Sequence, residues 1–255
     1  MVKEIIEKDL ITFEYPPDGG VVPIIDPYDG CTIRCPYCFQ MDDENWNKDI
    51  FVKTNIPQLI KEQLKDWNRE KTLYIGSRCD PYLKIEEKYE LTRKCLIELN
   101  KLNIPVMITT KAHYDIILRD IDIMKEYSSE LTVLLGLSNL NQLGDKEKIN
   151  NNINIANKLY ENGINVWAFI TPVLPGLTDV DKMIGCLKDD IPVFLDKLRI
   201  EKDSVQMSRM LNYIKVNHPQ LLHQYEDIMV NKNDSYIEEL REKYKDSRRV
   251  KFVFE

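Results

Sequence analysis

Short apolar runs alternate along the chain with segments whose apolar residues recur at helical spacing. The runs are rich in Val, Ile and Leu and nearly continuous, which is typical of parallel strands covered on both faces. They lie at residues 21–26, 72–77, 104–110, 131–138, 164–173 and 193–200. The pattern therefore predicts six parallel β-strands.

The segments between these runs carry their apolar side chains on one face, which predicts amphipathic helices. The helical segments lie at residues 56–67, 91–102, 114–127, 146–161, 179–189, 204–216 and 234–246. Within this series, the run EKYELTRK at 87–94 predicts a charged helix face. The stretch VKFVF at 250–254 predicts an edge strand.

Repeated strand-then-helix units with right-handed crossovers build either a doubly wound sheet or part of a barrel. The sequence shows no internal repeat and no linker-like run, so we expect one α/β domain. We divide it into an N-terminal extension (1–20), a core (21–200) and a helical extension packed on that core (201–255). In either architecture the active site lies at the C-terminal ends of the strands.

Composition limits the location and the partners. The 255 residues are 43% apolar and carry a net charge of −7, which argues against attraction to duplex nucleic acid. The start of the chain has no apolar signal region, and no run of about 18 apolar residues exists to span a membrane. We therefore expect a cytoplasmic protein, in which cysteines serve as ligands, catalytic groups or core residues rather than disulfides.

Three of the six cysteines lie in the stretch CTIRCPYCF, residues 31–39. Cys31, Cys35 and Cys38 have the spacing C-x3-C-x2-C. A structural zinc site uses four protein ligands, and a fourth is not nearby in the sequence. An iron–sulfur cluster held by three thiolates keeps one iron open for a chelating ligand, and soft thiolates favour iron–sulfur clusters. Zinc completed by a distant residue remains the alternative.

Small and polar residues follow several of the predicted strands, where an active site is expected. Gly76, Ser77 and Cys79 follow the second strand, Lys111 the third and Ser138 the fourth. Asp80, which follows Cys79, either caps the following turn or orients a substrate. The remaining two cysteines, at 95 and 186, are expected to fill the core from helix faces.

The cysteine spacing, with an aromatic residue before the last cysteine, resembles the signature of radical S-adenosylmethionine enzymes. Other stretches resemble the spore photoproduct lyase-like branch of that family: DPYDGC (26–31), SRCDPYLKIEEKYELTRKCLIEL (77–99), ITTK (108–111), GLS (136–138) and TPVLPGLTD (171–179). The resemblance covers roughly residues 20–220. It implies a partial (β/α)6 TIM-type barrel with extra C-terminal helices.

The resemblance also implies the cofactors and the reaction. Cys31, Cys35 and Cys38 would hold a [4Fe–4S] cluster whose open iron binds S-adenosylmethionine. One electron, from a partner such as flavodoxin or ferredoxin, would cleave the sulfonium and release a 5′-deoxyadenosyl radical. That radical would abstract hydrogen from a small-molecule, nucleotide or short-peptide substrate. 

Five further residues receive cofactor roles from the same resemblance. Tyr37 would lie near the adenine. Gly76 and Ser77 would face the methionine amino group. Lys111 would pair with the methionine carboxylate, and Ser138 would reach the ribose. The residue types suit these partners, because a lysine attracts a carboxylate and a hydroxyl can bond to a diol.

The sequence differs from that of the DNA-repair lyase at one position, and a second position has two interpretations. The lyase has a tyrosine after its third cluster cysteine, whereas Phe39 here has no hydroxyl hydrogen to give. Cys79 lies close to the lyase's relay cysteine, so we expect it to donate hydrogen to the product radical, with a buried apolar role as the alternative. A DNA photoproduct lyase and a zinc-stabilised binding protein remain alternative functions.

Overall fold

The strands form where the apolar runs predict them, with four short additions. The computed structural model describes residues 1–14, 20–43, 46, 48–137 and 146–253, without the side chains of 146–150. The strands are β1 (Val2–Ile5), β2 (Thr12–Glu14), β3 (Val22–Ile25), β4 (Tyr28–Asp29), β5 (Ile50–Lys53), β6 (Leu73–Ile75), β7 (Val106–Thr110), β8 (Leu131–Gly136), β9 (Asn165–Ile170), β10 (Val193–Leu195) and β11 (Val250–Phe252).

The main sheet has the strand order β11-β10-β9-β8-β7-β6-β3-β2. In this sheet every pair of neighbouring strands is parallel except one, because β2 is antiparallel to β3. The six predicted strands are therefore neighbours in chain order. A doubly wound sheet would reverse its order at a switch point, whereas a (β/α) barrel does not. The prediction of a mixed α/β fold around a mostly parallel sheet is confirmed, and its open strand order is that of a partial barrel.

A small second sheet, with strand order β1-β5-β4, lies outside the pattern predicted from sequence. Its strands are two to four residues long, and β1 is mostly exposed. None of these strands therefore contains an apolar run long enough to predict it from the sequence. Tyr28, Trp46 and Val52 form the core of this sheet. Cys79 packs into that core and Cys31 adjoins it, so the small sheet supports the start of the cysteine stretch.

Helices occupy most of the predicted helical segments. They are α1 (Ile56–Gln63), α2 (Glu86–Tyr89), α3 (Leu91–Lys101), α4 (Ile121–Lys125), α5 (Lys146–Glu161), α6 (Val180–Cys186), α7 (Val205–Asn217), α8 (Leu222–Val230) and α9 (Ser235–Tyr244). The segment 114–127 divides into a 3-10 helix, Asp115–Asp120, followed by α4. A break at Glu90, with φ of +52°, separates α2 from α3.

The C-terminal helices pack over the strand ends as a second apolar cluster. Met207, Met210 and Ile214 of α7 meet Tyr225 of α8 in this cluster, and Tyr37 packs against it. The chain then returns to the main sheet through β11, beside β10. The division at residues 20 and 200 stays a prediction. Among the described residues, every helix is too short or too polar to cross a membrane.

Candidate active site

The cysteine stretch forms a loop between β4 and a 3-10 helix, Phe39–Asp42. The loop begins at Gly30, whose φ is +89° and where a Cβ would lie 2.2 Å from the Asp49 carbonyl oxygen. Only glycine fits this close approach of two backbone segments. The Cys31 N–H donates to the Trp46 carbonyl at 3.2 Å, and the Cys38 N–H donates to the Cys35 carbonyl at 2.9 Å. These bonds fix both ends of the loop.

The three thiols of this loop line the same cleft at the C-terminal ends of the main strands. Cys35 is buried, while Cys31 and Cys38 are half-buried. Burial raises the pKa of Cys31 to about 12, against the opposing effect of the Ile33 N–H, which donates to its Sγ at 3.4 Å. Burial also raises the pKa of Cys38. The protein itself therefore favours neutral thiols at Cys31 and Cys38, and a bound metal would supply the positive charge that releases their protons.

The donor set fits an iron–sulfur cluster. All six cysteines are free thiols, and three of them face one cleft from a single loop. Soft sulfur donors select zinc, copper(I) or iron–sulfur clusters over hard cations. Among the residues that the structure describes, no group of three or more His, Cys, Asp or Glu side chains is arranged around one metal-ion position. A cluster several ångströms across needs its thiols spread around it rather than gathered at a point.

Lys111 and Tyr37, which the family resemblance places at the cofactor, contact each other. Lys111 Nζ donates to Tyr37 Oη at 2.9 Å and lies 5.3 Å from the centre of the ring. Burial lowers the pKa of Lys111, but nearby Tyr37 and Cys35 outweigh it, so the pKa lies above its usual value. Lys111 is thus a cation on the cleft wall. A Cβ at Gly136 would come within 3.3 Å of Lys111 Cγ, so this glycine leaves room for the lysine.

Asp80 ties the end of β6 to the end of β7. Its carboxylate accepts hydrogen bonds from Thr110 Oγ1 at 2.8 Å, from the Lys111 N–H at 2.8 Å and from the Tyr82 N–H at 2.9 Å. Burial raises its pKa, and these bonds oppose that effect. The bond to Tyr82 is the turn cap that the Asp-Pro sequence allowed. The other two hold the backbone of Lys111, so Asp80 positions the lysine on the cleft wall.

Gly76 and Ser77 lie on the same cleft, directly after β6. Gly76 has a φ of +83°, and a Cβ there would lie 2.4 Å from Pro81 Cδ and 2.6 Å from the Thr109 carbonyl oxygen. This position therefore requires glycine, as the backbone turns tightly at the strand end. Ser138, the predicted ribose contact, lies outside the described residues.

Cys79 is 2% exposed and packs in the core of the small sheet. Its thiol donates to the Gly30 carbonyl at 2.9 Å, and burial raises its pKa well above the ordinary value. The contact joins the strand end to the start of the cysteine loop. The predicted hydrogen-donor role stays a prediction, and this placement gives the thiol a structural partner instead. Cys95 is fully buried as expected, but the expectation that Cys186 fills the core is wrong, because Cys186 is exposed at the end of α6.

Sequence reasoning missed the residues that reach the loop from the far end of the chain. Arg209 and Gln206, on α7, contact backbone carbonyls between Pro36 and Cys38. They follow the loop by about 170 positions, and no local motif marks them. Their shared spacing of three on an amphipathic helix was the only available signal.

Comparisons with known proteins find a matching family and sequence relatives of this chain. A family model of the radical SAM superfamily matches residues 25–184. Uncharacterized protein MJ0683 of Methanocaldococcus jannaschii is 32% identical over 216 residues, which cover 79% of this chain and 78% of that protein. Uncharacterized protein Rv2578c of Mycobacterium tuberculosis is 24% identical over 197 residues, covering 66% of this chain and 56% of that protein.

Solved structures share the fold at low sequence identity. Spore photoproduct lyase complexed with dinucleoside spore photoproduct superposes with a TM-score of 0.60 at 13% identity, over 86% of this chain and 66% of that chain. Streptococcus suis SuiB bound to S-adenosylmethionine gives a TM-score of 0.52 at 15% identity, over 91% of this chain and 49% of that chain. The chain thus spans 66% of the lyase chain and 49% of the SuiB chain. Because the family model covers more than half of its sequence, this chain belongs to the radical SAM superfamily.

Proposed function

We propose that this protein is a radical S-adenosylmethionine enzyme acting on a small-molecule, nucleotide or short-peptide substrate. The observation that carries the proposal is the meeting of three loop thiols with Lys111 and Gly76 in one cleft at the strand ends. When bound there, a [4Fe–4S] cluster would supply the electron that cleaves the sulfonium of S-adenosylmethionine to a 5′-deoxyadenosyl radical, which abstracts hydrogen from substrate.

In this proposal the residues of the chain bind and orient the cluster and S-adenosylmethionine. Cys31, Cys35 and Cys38 hold the cluster as thiolates. Lys111 attracts the methionine carboxylate of S-adenosylmethionine, and its position is supported by the Asp80 bond to its backbone. Lysine suits this role as a compact point charge with three donors.

Three further residues complete the proposed cofactor site. The backbone at Gly76 and the hydroxyl of Ser77 face the methionine amino group, because the glycine lets the backbone approach closely. Tyr37 contacts the adenine side of the cofactor while its hydroxyl keeps the bond to Lys111. Ser138 is proposed for the ribose from the sequence match alone.

The apolar part of the cleft excludes water from the reacting atoms. Trp46, Leu134 and Phe169 also line the cleft. A radical quenches when it meets solvent or oxygen, so an apolar wall protects it until substrate is reached. Cys79 as a hydrogen donor would need to turn from the Gly30 carbonyl toward this space.

A DNA photoproduct lyase is the second candidate, because the lyase neighbour holds a dinucleoside photoproduct on a similar fold. The net charge of −7 argues against duplex DNA as the substrate, and Phe39 lacks the hydroxyl hydrogen of the tyrosine that the lyase has at this position. A reducing partner such as flavodoxin or ferredoxin belongs to either candidate.

The test measures 5′-deoxyadenosine released from S-adenosylmethionine by the anaerobically reconstituted protein with dithionite as reductant. We expect release by the wild-type protein, loss of all release in Cys35→Ala, and unchanged release in the matched control Cys186→Ala. Lys111→Met should raise the concentration of S-adenosylmethionine needed for half-maximal release by at least tenfold. Equal release by the Cys35 and Cys186 variants would overturn the proposal.

A further inference from the structure

Side chains of helix α7 donate hydrogen bonds to the backbone of the cysteine loop. Arg209 Nε donates to the Pro36 carbonyl at 3.0 Å, and Arg209 Nη2 donates to the Cys38 carbonyl. Gln206 Nε2 donates to the carbonyl of Tyr37, between these two. Three consecutive carbonyls, covering the segment between the second and third cysteines, thus accept hydrogen bonds from one helix.

The sequence of α7 places both donors on the loop side. Gln206 and Arg209 are three residues apart and share a face. On the adjoining face Met207 and Met210 are buried in the C-terminal cluster, which fixes the helix in place. Ser204 caps its first turn by accepting from the Met207 N–H at 3.0 Å. The two donors are therefore carried by a packed, capped helix rather than by a loop.

These donors are largely withdrawn from solvent. Gln206 is 8% exposed, and the side chain of Arg209 is 20% exposed. Arg209 Nη1 also pairs with Asp42 Oδ1 at 2.8 Å, in the 3-10 helix just after Cys38. A guanidinium can serve three acceptors at once because its donors form a rigid planar fork. Lysine has no such fork, so the geometry specifically needs arginine.

We propose that Gln206 and Arg209 are positioning residues of the cluster site, which hold the loop in its ligating conformation before metal arrives. The proposal rests on the proposed function, because it assumes that the loop binds a cluster. Since the Cys38 carbonyl is held by Arg209 and also accepts from the Met41 N–H at 3.2 Å, the two contacts fix the backbone of the third ligand. The C-terminal segment is then a part of the metal site and not an accessory.

The first experiment measures hydrogen exchange of loop peptides in the metal-free protein. The Cys38 and Met41 amides are bonded within the loop, so they report its order directly. We expect at least tenfold faster exchange in Arg209→Gln and in Gln206→Leu, and wild-type exchange in Lys215→Gln, an exposed cation on the same helix. Wild-type exchange in both loop-facing variants would overturn the proposal.

The second experiment compares the reconstituted proteins. Arg209→Gln should lose iron to a chelator at least tenfold faster than wild type, with Arg209→Lys intermediate because it keeps the charge but not the fork. Loss of a cation beside the loop should also make one-electron reduction about threefold less favourable, roughly 30 mV by 59 mV per decade. Arg209→Lys should recover this potential. Wild-type iron retention and potential in Arg209→Gln would contradict the positioning role.

The two experiments separate this inference from the proposed function. A wild-type protein that binds no iron would defeat the proposed function, while exchange in the metal-free protein would still decide whether α7 orders the loop. If Arg209→Gln does not fold, Gln206→Leu and Arg209→Lys decide the question through the same two measurements.

Discussion

Two regions of this molecule bury ionisable groups, and only one of them pairs the buried charges within the chain. Behind the strand ends, Glu86 and Asp120 are fully buried and meet Arg119, which donates to Glu86 Oε1 at 2.8 Å and to Asp120 Oδ1 at 2.7 Å. Tyr28 donates to Glu86, and Tyr82 donates to Asp120 at 3.2 Å. In this network the protein supplies both the charges and their partners.

In the cleft the same chain buries the thiols of Cys31 and Cys38 without fully balancing their thiolate form. Burial raises the pKa of Cys31 and Cys38, so the site favours a proton on each. Positive charge from a metal would be needed to release these protons. In this fold, a structural cluster is therefore complete within the chain, whereas a binding site is completed by its ligand.

The largest effect is expected where the paired network is broken. Arg119→Ala leaves the fully buried Glu86 without its cation and leaves Asp120 paired with Arg93 alone, so we expect the free energy of unfolding to fall by about 4 kcal/mol. Urea titration of the metal-free protein measures it, with Arg248→Ala, an exposed arginine, as the control. A loss below about 1 kcal/mol would mean that the network is not the structural element described here.

The next effect tests a buried carboxyl with an unmet oxygen. Asp26 is 8% exposed, its Oδ1 has no hydrogen-bond partner, and burial raises its pKa to about 7. Between pH 4 and 7 the folded protein keeps a proton that the unfolded chain releases, so stability should fall as pH rises through this window.

The change expected from this carboxyl is on the order of 3 kcal/mol. Asp26→Asn should remove this component of the pH dependence, as urea titrations at pH 4.5 and 7.5 would show. An unchanged slope in the variant would place the titrating group elsewhere.

A smaller effect on stability is expected in the cleft. Cys38→Ala removes a single half-buried thiol group, so the metal-free protein should lose about 1 kcal/mol or less. The same substitution should abolish iron loading. Unfolding of metal-free Cys38→Ala at a much lower urea concentration would show that this cysteine stabilises the fold without a ligand.

The smallest effect is expected at the solvent edge of the network. Arg93 donates to Asp122 Oδ2 at 2.7 Å and holds the pKa of Asp122 at about 2. The stabilisation is present above the ordinary value of 3.8 and is lost as pH falls toward 2. Because Asp122 is mostly exposed, Asp122→Asn should change acid unfolding only slightly, measured by circular dichroism between pH 4 and 2. A large shift would extend the buried network to this residue.

The strands of the main sheet could be predicted because strands that are buried on both faces have continuous apolar sequences. The apolar stretch 131–138 gave β8, in which five consecutive residues are buried. In contrast, β1 and β4 are short and depend on pairing with β5, which is a tertiary contact that no local pattern shows. The charged run at 87–94 predicted a helix face, but Glu90 breaks the helix and Arg93 turns inward to Asp120.

Part of the site could also be read from the sequence. The spacing of Cys31, Cys35 and Cys38 predicts a metal site, and their place in a short loop after a strand predicts the cleft that they line together. Lys111 and Gly76 were found by their position at strand ends. Arg209 could not be found in this way, because it reaches the loop from α7 and its role depends on how the chain folds back.

We propose that the loop thiols hold a cluster with an open iron. The most direct test purifies the protein without oxygen, reconstitutes it, and records iron content and the reduced-state electron paramagnetic resonance spectrum with and without S-adenosylmethionine. We expect four irons per chain, as for one [4Fe–4S] cluster, and a signal that changes when S-adenosylmethionine is added. Stoichiometric zinc without iron, and no response to S-adenosylmethionine, would contradict it and make the loop a structural clasp.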